Sequence, residues 1–434
     1  MQGRQAQAHQ ARWYGVITLF VIIAISYIDR INIAVLITDA GFLQHVGIER
    51  ADRVSQGLLA TAFMVGYGIS SVVLTPFAAA LLGVRRSLLV GLTLWGVVTF
   101  LSPLLDSFGL LLGSRILLGV SEGPVFALAG AYIKAHFESH ENGKPNSFVN
   151  MGTGLGLAIG YPLVGVLLAS HDWQTSFHVL GLINILLGIP LVLAFVRMPK
   201  VMVDSRPRGV SAGAALAQVG AMVRGALHTR HLLLVTLLTS AFLAYLWGSS
   251  NWLPSYLKEA RGFSLKEMGW LASLPQYATV VAVLIGGVVI DRIQRRNVPL
   301  MFVWCSLGVA AFVWLAIATD SRYLAAYSLI AANFCWGLMS PAIPSTVQHF
   351  SRAEHVASSY GVVNGVGSLV AGFMPALMGG VIAHASTPKA GFLMGFGALI
   401  GTQLVVVLCG LVLWLRERRA PQGQGAPSIS AKAF

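Results

Sequence analysis

Most of the 434-residue chain is spent in twelve apolar runs separated by short charged loops. About 20 apolar residues in a helix cross the ~30 Å hydrocarbon core of a bilayer, so each run predicts a membrane-spanning helix. The expected spans are 14–37, 56–80, 86–105, 108–134, 146–170, 175–197, 231–256, 266–290, 298–319, 322–348, 356–384 and 390–415. The first run, Trp13 to Ile37, is too long for the apolar core of a leader peptide and lacks a small-x-small exit. It is therefore read as a span. One connection is long. Met198 to Thr229 holds Pro199, Pro207 and several Arg and Gly, with little apolar periodicity. The pattern predicts an all-α integral membrane protein in two six-helix halves, residues 1–197 and 230–416. A cytoplasmic linker, 198–229, joins them, and a flexible cytoplasmic tail, 417–434, follows.

The halves repeat weakly. Gly83-Val-Arg-Arg86 follows the second span, and Gly287-Val-Val-Ile-Asp-Arg-Ile-Gln-Arg-Arg296 follows the eighth. Six-helix halves related in parallel, with a substrate site at their interface, are one established transporter plan.

Composition agrees with this reading. Only 10% of residues are charged and 56% are hydrophobic, whereas soluble domains carry about 25% charged residues. The net charge of +13 raises the question of nucleic acid, but its distribution answers it. Of 29 Lys and Arg, 20 fall in one alternating set of loops and tails, 7 in the other set, and 2 inside spans. An asymmetry of that kind orients a membrane protein and attracts anionic lipid. It places both termini in the cytoplasm. Cys305, Cys335 and Cys409 lie in apolar runs without metal spacing, and the eleven His residues are scattered. Neither a metal site, nor a cofactor, nor a disulfide framework, nor a nucleophile–base constellation is expected, so the chain does not read as an enzyme.

The charges left inside the spans carry the chemistry. They are Asp29 and Arg30 in the first span, and Arg115 and Glu122 in the fourth. A charge near the bilayer centre costs about 3 kcal/mol on insertion scales, so such groups face a partner or water. Asp29 and Arg30 are neighbours, about 100° apart on a helix, and should meet different partners. Arg115 and Glu122 are seven residues apart and share a face. Either the four form a static knot, or the carboxylates exchange protons and the guanidiniums hold an anion. In the second case, protonating both carboxylates takes the group from neutral to +2 and draws the anion in. The bound anion then favours protonation, which is the reciprocal coupling a symporter needs.

Other positions are weighed as contacts or packing. Gly152, Gly156 and Gly160 repeat every four residues, the pattern of close helix packing, with Thr153 beside them as a polar candidate. Tyr67 is a hydroxyl donor or a packing ring. The second half has no deep charge. Its polar positions include Tyr245, Asn251, Asn333, Tyr360, Asn364 and Ser368. Tyr360, Asn364 and Ser368 fall at i−4, i and i+4 and share a face.

The motifs Tyr27-Ile-Asp-Arg-Ile-Asn32, Arg115-x6-Glu122-Gly123, Trp252-Leu-Pro-Ser-Tyr-Leu257, Gly287-x3-Asp291-Arg292 and Asn364-Gly365 with Pro375 resemble those of the major facilitator superfamily. Within it the chain is similar to the anion:cation symporters, which include sugar-acid permeases. The resemblance implies proton coupling at Asp29 and Glu122. It implies substrate contacts at Tyr27, Arg30, Arg115 and Asn364, which lie in its motifs; Tyr67, Thr153, Tyr360 and Ser368 join them as polar candidates by their own positions. It also implies a monomer in the inner membrane importing an organic anion such as a hexonate, aldarate or hexuronate. An aromatic or small organic acid is the alternative cargo, and a facilitator or drug antiporter on the same fold the alternative activity. Two departures bear on cytoplasmic gating. Pro76 and Ala80 stand where that family's first-half loop has Gly and Asp, and His136-Phe-Glu-Ser-His-Glu-Asn142 replaces its usual loop after the fourth span.

Overall fold

The computed structural model describes residues 2–77, 82–137, 143–198, 227–351 and 356–419, with isolated positions between 213 and 225. These residues are helical almost throughout and include no strand. Among the described residues eleven helices are long and apolar enough to cross a bilayer, and a further helix of 25 residues, α2, lies between the first two of them: α1 (Arg12–Leu36 of the helix Gln2–Leu36), α2 (Arg53–Phe77), α3 (Gly83–Leu104), α4 (Phe108–His136), α5 (Lys144–Ser170), α6 (Trp173–Phe195), α7 (Leu232–Ala260), α8 (Leu265–Ile290), α9 (Arg295–Ala318), α10 (Arg322–Phe350), α11 (Ser359–Ala383) and α12 (Pro388–Arg419). Each lies within a few residues of its expected span. The last helix runs to Arg419, past the boundary drawn at 416. Glu417 is part of it and accepts from Arg230 at 3.2 Å and His349 at 2.9 Å. Pro76 lies near the end of α2. Ala80, residues 138–142, most of the linker and the tail from 420 lie outside the described residues.

Local chemistry sets the interruptions. α4 breaks after Glu122 at Gly123-Pro124 and resumes at Val125. α10, the fourth helix of the second half, breaks after Met339 at Ser340-Pro341 and resumes at Ala342. Proline lacks the N–H and crowds the preceding turn, so both halves bend at the same step of their repeat. At a helix entry, Asp172 accepts from the Thr175 hydroxyl at 2.6 Å and the Thr175 N–H at 2.8 Å. These bonds hold its carboxyl below the usual range.

The glycine stripe of α5 packs as its spacing predicts. Gly152 and Gly160 lie against Phe20 and Ile28 of α1, where an added Cβ would stand 2.7 Å from the Phe20 carbonyl and 3.2 Å from the Ile28 Cα. Gly156, between them, meets the Ala24 carbonyl and the Tyr27 Cβ. Lipid gives helices no hydrophobic reason to associate, so van der Waals contact over a smooth stripe supplies the adhesion.

The halves are sealed together at the end that carries the α1–α2 and α7–α8 loops. Arg53 donates to Glu259 through Nη2 at 2.5 Å and Nη1 at 3.2 Å, with both side chains 7% exposed. Lys258 Nζ donates to the Thr38 carbonyl at 2.6 Å, and Tyr161 Oη donates to the Ser250 carbonyl at 2.7 Å. Removing one member of a buried pair leaves an uncompensated charge that costs about 3–5 kcal/mol. The Arg53–Glu259 bond therefore biases the bundle towards closure at this end.

Candidate functional site

Asp29 and Arg30 diverge as their 100° offset requires. Asp29 turns into the first half. Its Oδ2 accepts from Trp95 Nε1, from Thr99 Oγ1 at 2.9 Å and from Asn184 Nδ2 at 3.4 Å. The donors come from α3 and α6, and all are neutral. The carboxylate is 1% exposed and has no ion pair among the described residues.

Arg30 turns instead towards α4. Its Nε and Nη2 both donate to Glu122 Oε2 at 3.2 Å, and Ser26 Oγ, one turn earlier on α1, donates to the same oxygen at 2.5 Å. Four aromatic rings surround the guanidinium. Its Cζ is 4.3 Å from the Tyr27 ring centre, 4.6 Å from Tyr67, 4.9 Å from Phe63 and 5.7 Å from Trp247. A ring face is electron-rich and stabilises a cation that has lost its water.

Arg115 shares one of those rings: its Cζ is 5.2 Å from the Phe63 centre. Gly119 makes this arrangement possible. It packs against the Phe63 carbonyl and the Tyr67 N–H, so α4 meets α2 with no side chain between. Arg115 is 4% exposed and has no hydrogen bond or ion pair among the described residues. Its Nε is buried without a partner, as are Arg30 Nη1 and Glu122 Oε1. Three polar atoms of one cluster are thus unsaturated, where buried polar groups are normally paired.

The site therefore gathers Tyr27, Arg30, Tyr67, Arg115 and Glu122 from α1, α2 and α4. It does not gather the other expected contacts. Thr153 donates back to the Asn150 carbonyl at 2.8 Å. On α11, Tyr360 and Asn364 are exposed and Ser368 is buried. None of the three touches the arginines or Glu122 among the described contacts. Phe63, Trp247 and Ser26 belong to the cluster but were not singled out from the sequence. Phe63 lies four residues before Tyr67 and Ser26 four before Arg30, so helical spacing from the chosen residues would have found both. Trp247 comes from the other half and left no such signal.

Comparison with known proteins follows the same lines. The Major Facilitator Superfamily pattern matches residues 19–375. A probable sulfoacetate transporter of Cupriavidus necator is 29% identical over 403 residues, covering 89% of this chain and 90% of its own. A probable galactarate/D-glucarate transporter of Bacillus subtilis is 26% identical over 96% of both chains, and the hexuronate transporter of Bacillus subtilis is 25% identical over 90% and 93%. Among solved structures, an inward-facing, unoccupied bacterial homologue of the human lysosomal transporter Spinster aligns with TM-score 0.72 at 15% identity, covering 94% of this chain and 97% of its own. A D-xylose–proton symporter aligns with TM-score 0.71 at 14% identity, covering 93% and 97%. At such identities these two structures speak to the fold.

Proposed function

As the chain belongs to the major facilitator superfamily, we propose that it is a secondary active transporter importing an organic carboxylate together with protons, with sugar acids as the leading class. The observation that carries the reading is Arg115. It is a buried guanidinium beside an aromatic wall with no counter-charge in hydrogen-bond contact among the described residues. A planar fork of N–H donors suits a carboxylate, which it grips with two parallel bonds. A neutral cargo would leave that charge unanswered. The three bacterial relatives support the class, since the cargoes in their names are sulfoacetate, an aldarate and a hexuronate, all organic anions.

Glu122 and Asp29 are the proposed proton carriers. Glu122 is the direct competitor of the substrate for guanidinium charge, since Arg30 already donates to it twice. Protonation of Glu122 releases Arg30 to join Arg115, and two cations then face the anion. Asp29 acts at one remove, through the field it exerts on Arg115. The remaining parts of the reading are a monomer in the inner membrane, substrate contacts at Thr153, Tyr360, Asn364 and Ser368, and both termini in the cytoplasm. The last follows from the count of basic residues, 20 against 7. Reporter fusions at each end should both read as cytoplasmic, and an external signal from either would overturn the orientation.

The function is tested in two steps. Purified protein is heated with a panel of organic acids, including D-glucarate, D-glucuronate, D-gluconate and sulfoacetate. A ligand of the folded state raises the melting temperature. The best acid is then offered to proteoliposomes with an imposed pH gradient and no other energy source. Accumulation that collapses when the gradient is dissipated is expected. Accumulation unaffected by the gradient would remove proton coupling, and stabilisation by none of the acids would remove the anion reading.

A further inference from the structure

Trp247 on α7, in the second half, reaches the cationic cluster. Its ring stacks on Tyr27 with centroids 6.4 Å apart and planes 26° from parallel, and the Arg30 Cζ lies 5.7 Å from its centre. Its place is fixed by the residue that follows. Gly248 packs against Met374, Met378 and Leu399, where an added Cβ would stand 2.7 Å from the Met378 sulfur. α7 is thus held against α11 and α12 at this level, and the indole projects to the other half from a rigid base.

The indole N–H is the second observation. Trp247 Nε1 is buried with no partner. The other deep indoles of the bundle are satisfied: Trp252 Nε1 donates to the Pro375 carbonyl at 2.9 Å, Trp336 Nε1 to the Phe242 carbonyl at 3.0 Å, and Trp95 Nε1 to Asp29. Trp414 Nε1 is also unpaired, but it lies near the end of α12, where its ring meets Arg418. An indole has a single donor and no acceptor, so nothing else on that side chain compensates. A buried donor without an acceptor is costly, and the chain places this one beside the Arg30 guanidinium, a group that suits a carboxylate.

We infer that Trp247 is a specificity-determining residue of the second half, whose N–H donates to a substrate oxygen other than those held by the arginines. The inference rests on the organic-anion reading above and deepens it. The substrate it selects carries a hydroxyl along its chain, not a bare methylene backbone. Tyr27 and Trp247 come from opposite halves, so a substrate bound at the carboxylate by α1 and α4 and at the hydroxyl by α7 touches both moving bodies at once. Occupancy then acts on their relative position through one bond of each kind.

The test uses two six-carbon dianions, D-glucarate and adipate, which differ only in the four hydroxyls. Binding to purified parent protein and Trp247→Phe is titrated by thermal shift. Phenylalanine keeps an aromatic face for Tyr27 and removes the donor. The parent is expected to bind D-glucarate more tightly than adipate. The variant should lose about tenfold in affinity for D-glucarate and keep its affinity for adipate, the size of effect one hydrogen bond gives. The readout is a ratio within one preparation, so a partly misfolded fraction does not move it. Equal weakening of both dianions would make Trp247 a packing ring, and no change in either would remove it from the site; both overturn the inference. A parent protein that binds both equally overturns it while leaving the anion reading intact. A parent that binds neither overturns this inference, and the anion reading falls with it if none of the other acids of the panel above binds either.

Discussion

Arg115→Lys is expected to lower substrate uptake by about a hundredfold although the charge is kept. A lysine ammonium is a compact point charge that cannot make two parallel bonds to a carboxylate. Its surroundings penalise it further. Arg115 is 4% exposed, and its guanidinium lies over the face of Phe63 at 5.2 Å, with no hydrogen bond among the described residues. A flat, weakly hydrated guanidinium tolerates such a place, whereas an ammonium, which is strongly hydrated, does not. The loss should fall mainly on apparent affinity, because the contact is with the bound anion. Arg115→Lys protein inserted at the parental level and transporting at a near-parental rate would take Arg115 out of the site. The effect should also exceed that of Arg53→Lys, whose partner Glu259 lies in the seal at the end of the bundle and not among the groups facing Arg115.

The spans could be read from the sequence because a bilayer tolerates little ambiguity. An apolar run of 20 residues has nowhere else to go, and its unpaired backbone polar groups leave the helix as the available form. The divergence of Asp29 and Arg30 was legible for the same kind of reason, since adjacent helical positions cannot face one way. The pairing of charges was not. Arg115 and Glu122 share a face, but seven residues of helix separate them by about 10 Å along the axis, too far for a bond. Glu122 instead bonds across helices to Arg30 and Ser26. Likewise, Trp95, Thr99 and Asn184 are single polar groups in apolar runs, and only the packing of α3 and α6 against α1 converts them into the holders of Asp29. Asn364 shows the opposite case. A motif marks it, and the structure leaves it exposed, with no hydrogen bond to either arginine among the described residues.

Asp29→Asn and Glu122→Gln should each abolish proton-driven accumulation, and at least one should keep substrate exchange. Both amides resemble the protonated acid in shape and charge. Each variant adds one positive charge to the cluster relative to the ionised parent, so the anion still has a site. The contacts predict how well each is tolerated. Glu122 accepts from Arg30 and Ser26 through Oε2 alone, and Oε1 has no partner, so a glutamine can keep its carbonyl towards the donors. Asp29 receives all three of its donors at Oδ2, so an asparagine oxygen at that position preserves them. Neither substitution need disturb packing. A group that cannot release its proton inside cannot return the empty carrier in the ionised form, and the gradient then has nothing to drive. Counterflow, in which external substrate exchanges for internal substrate, requires no net proton movement and should survive. The two assays are run in the same liposomes. If both variants still accumulate substrate against its gradient as the parent does, the protons travel elsewhere. If both lose binding, the carboxylates serve to hold Arg30 and the neighbouring helices in place, and the cluster is a structural knot.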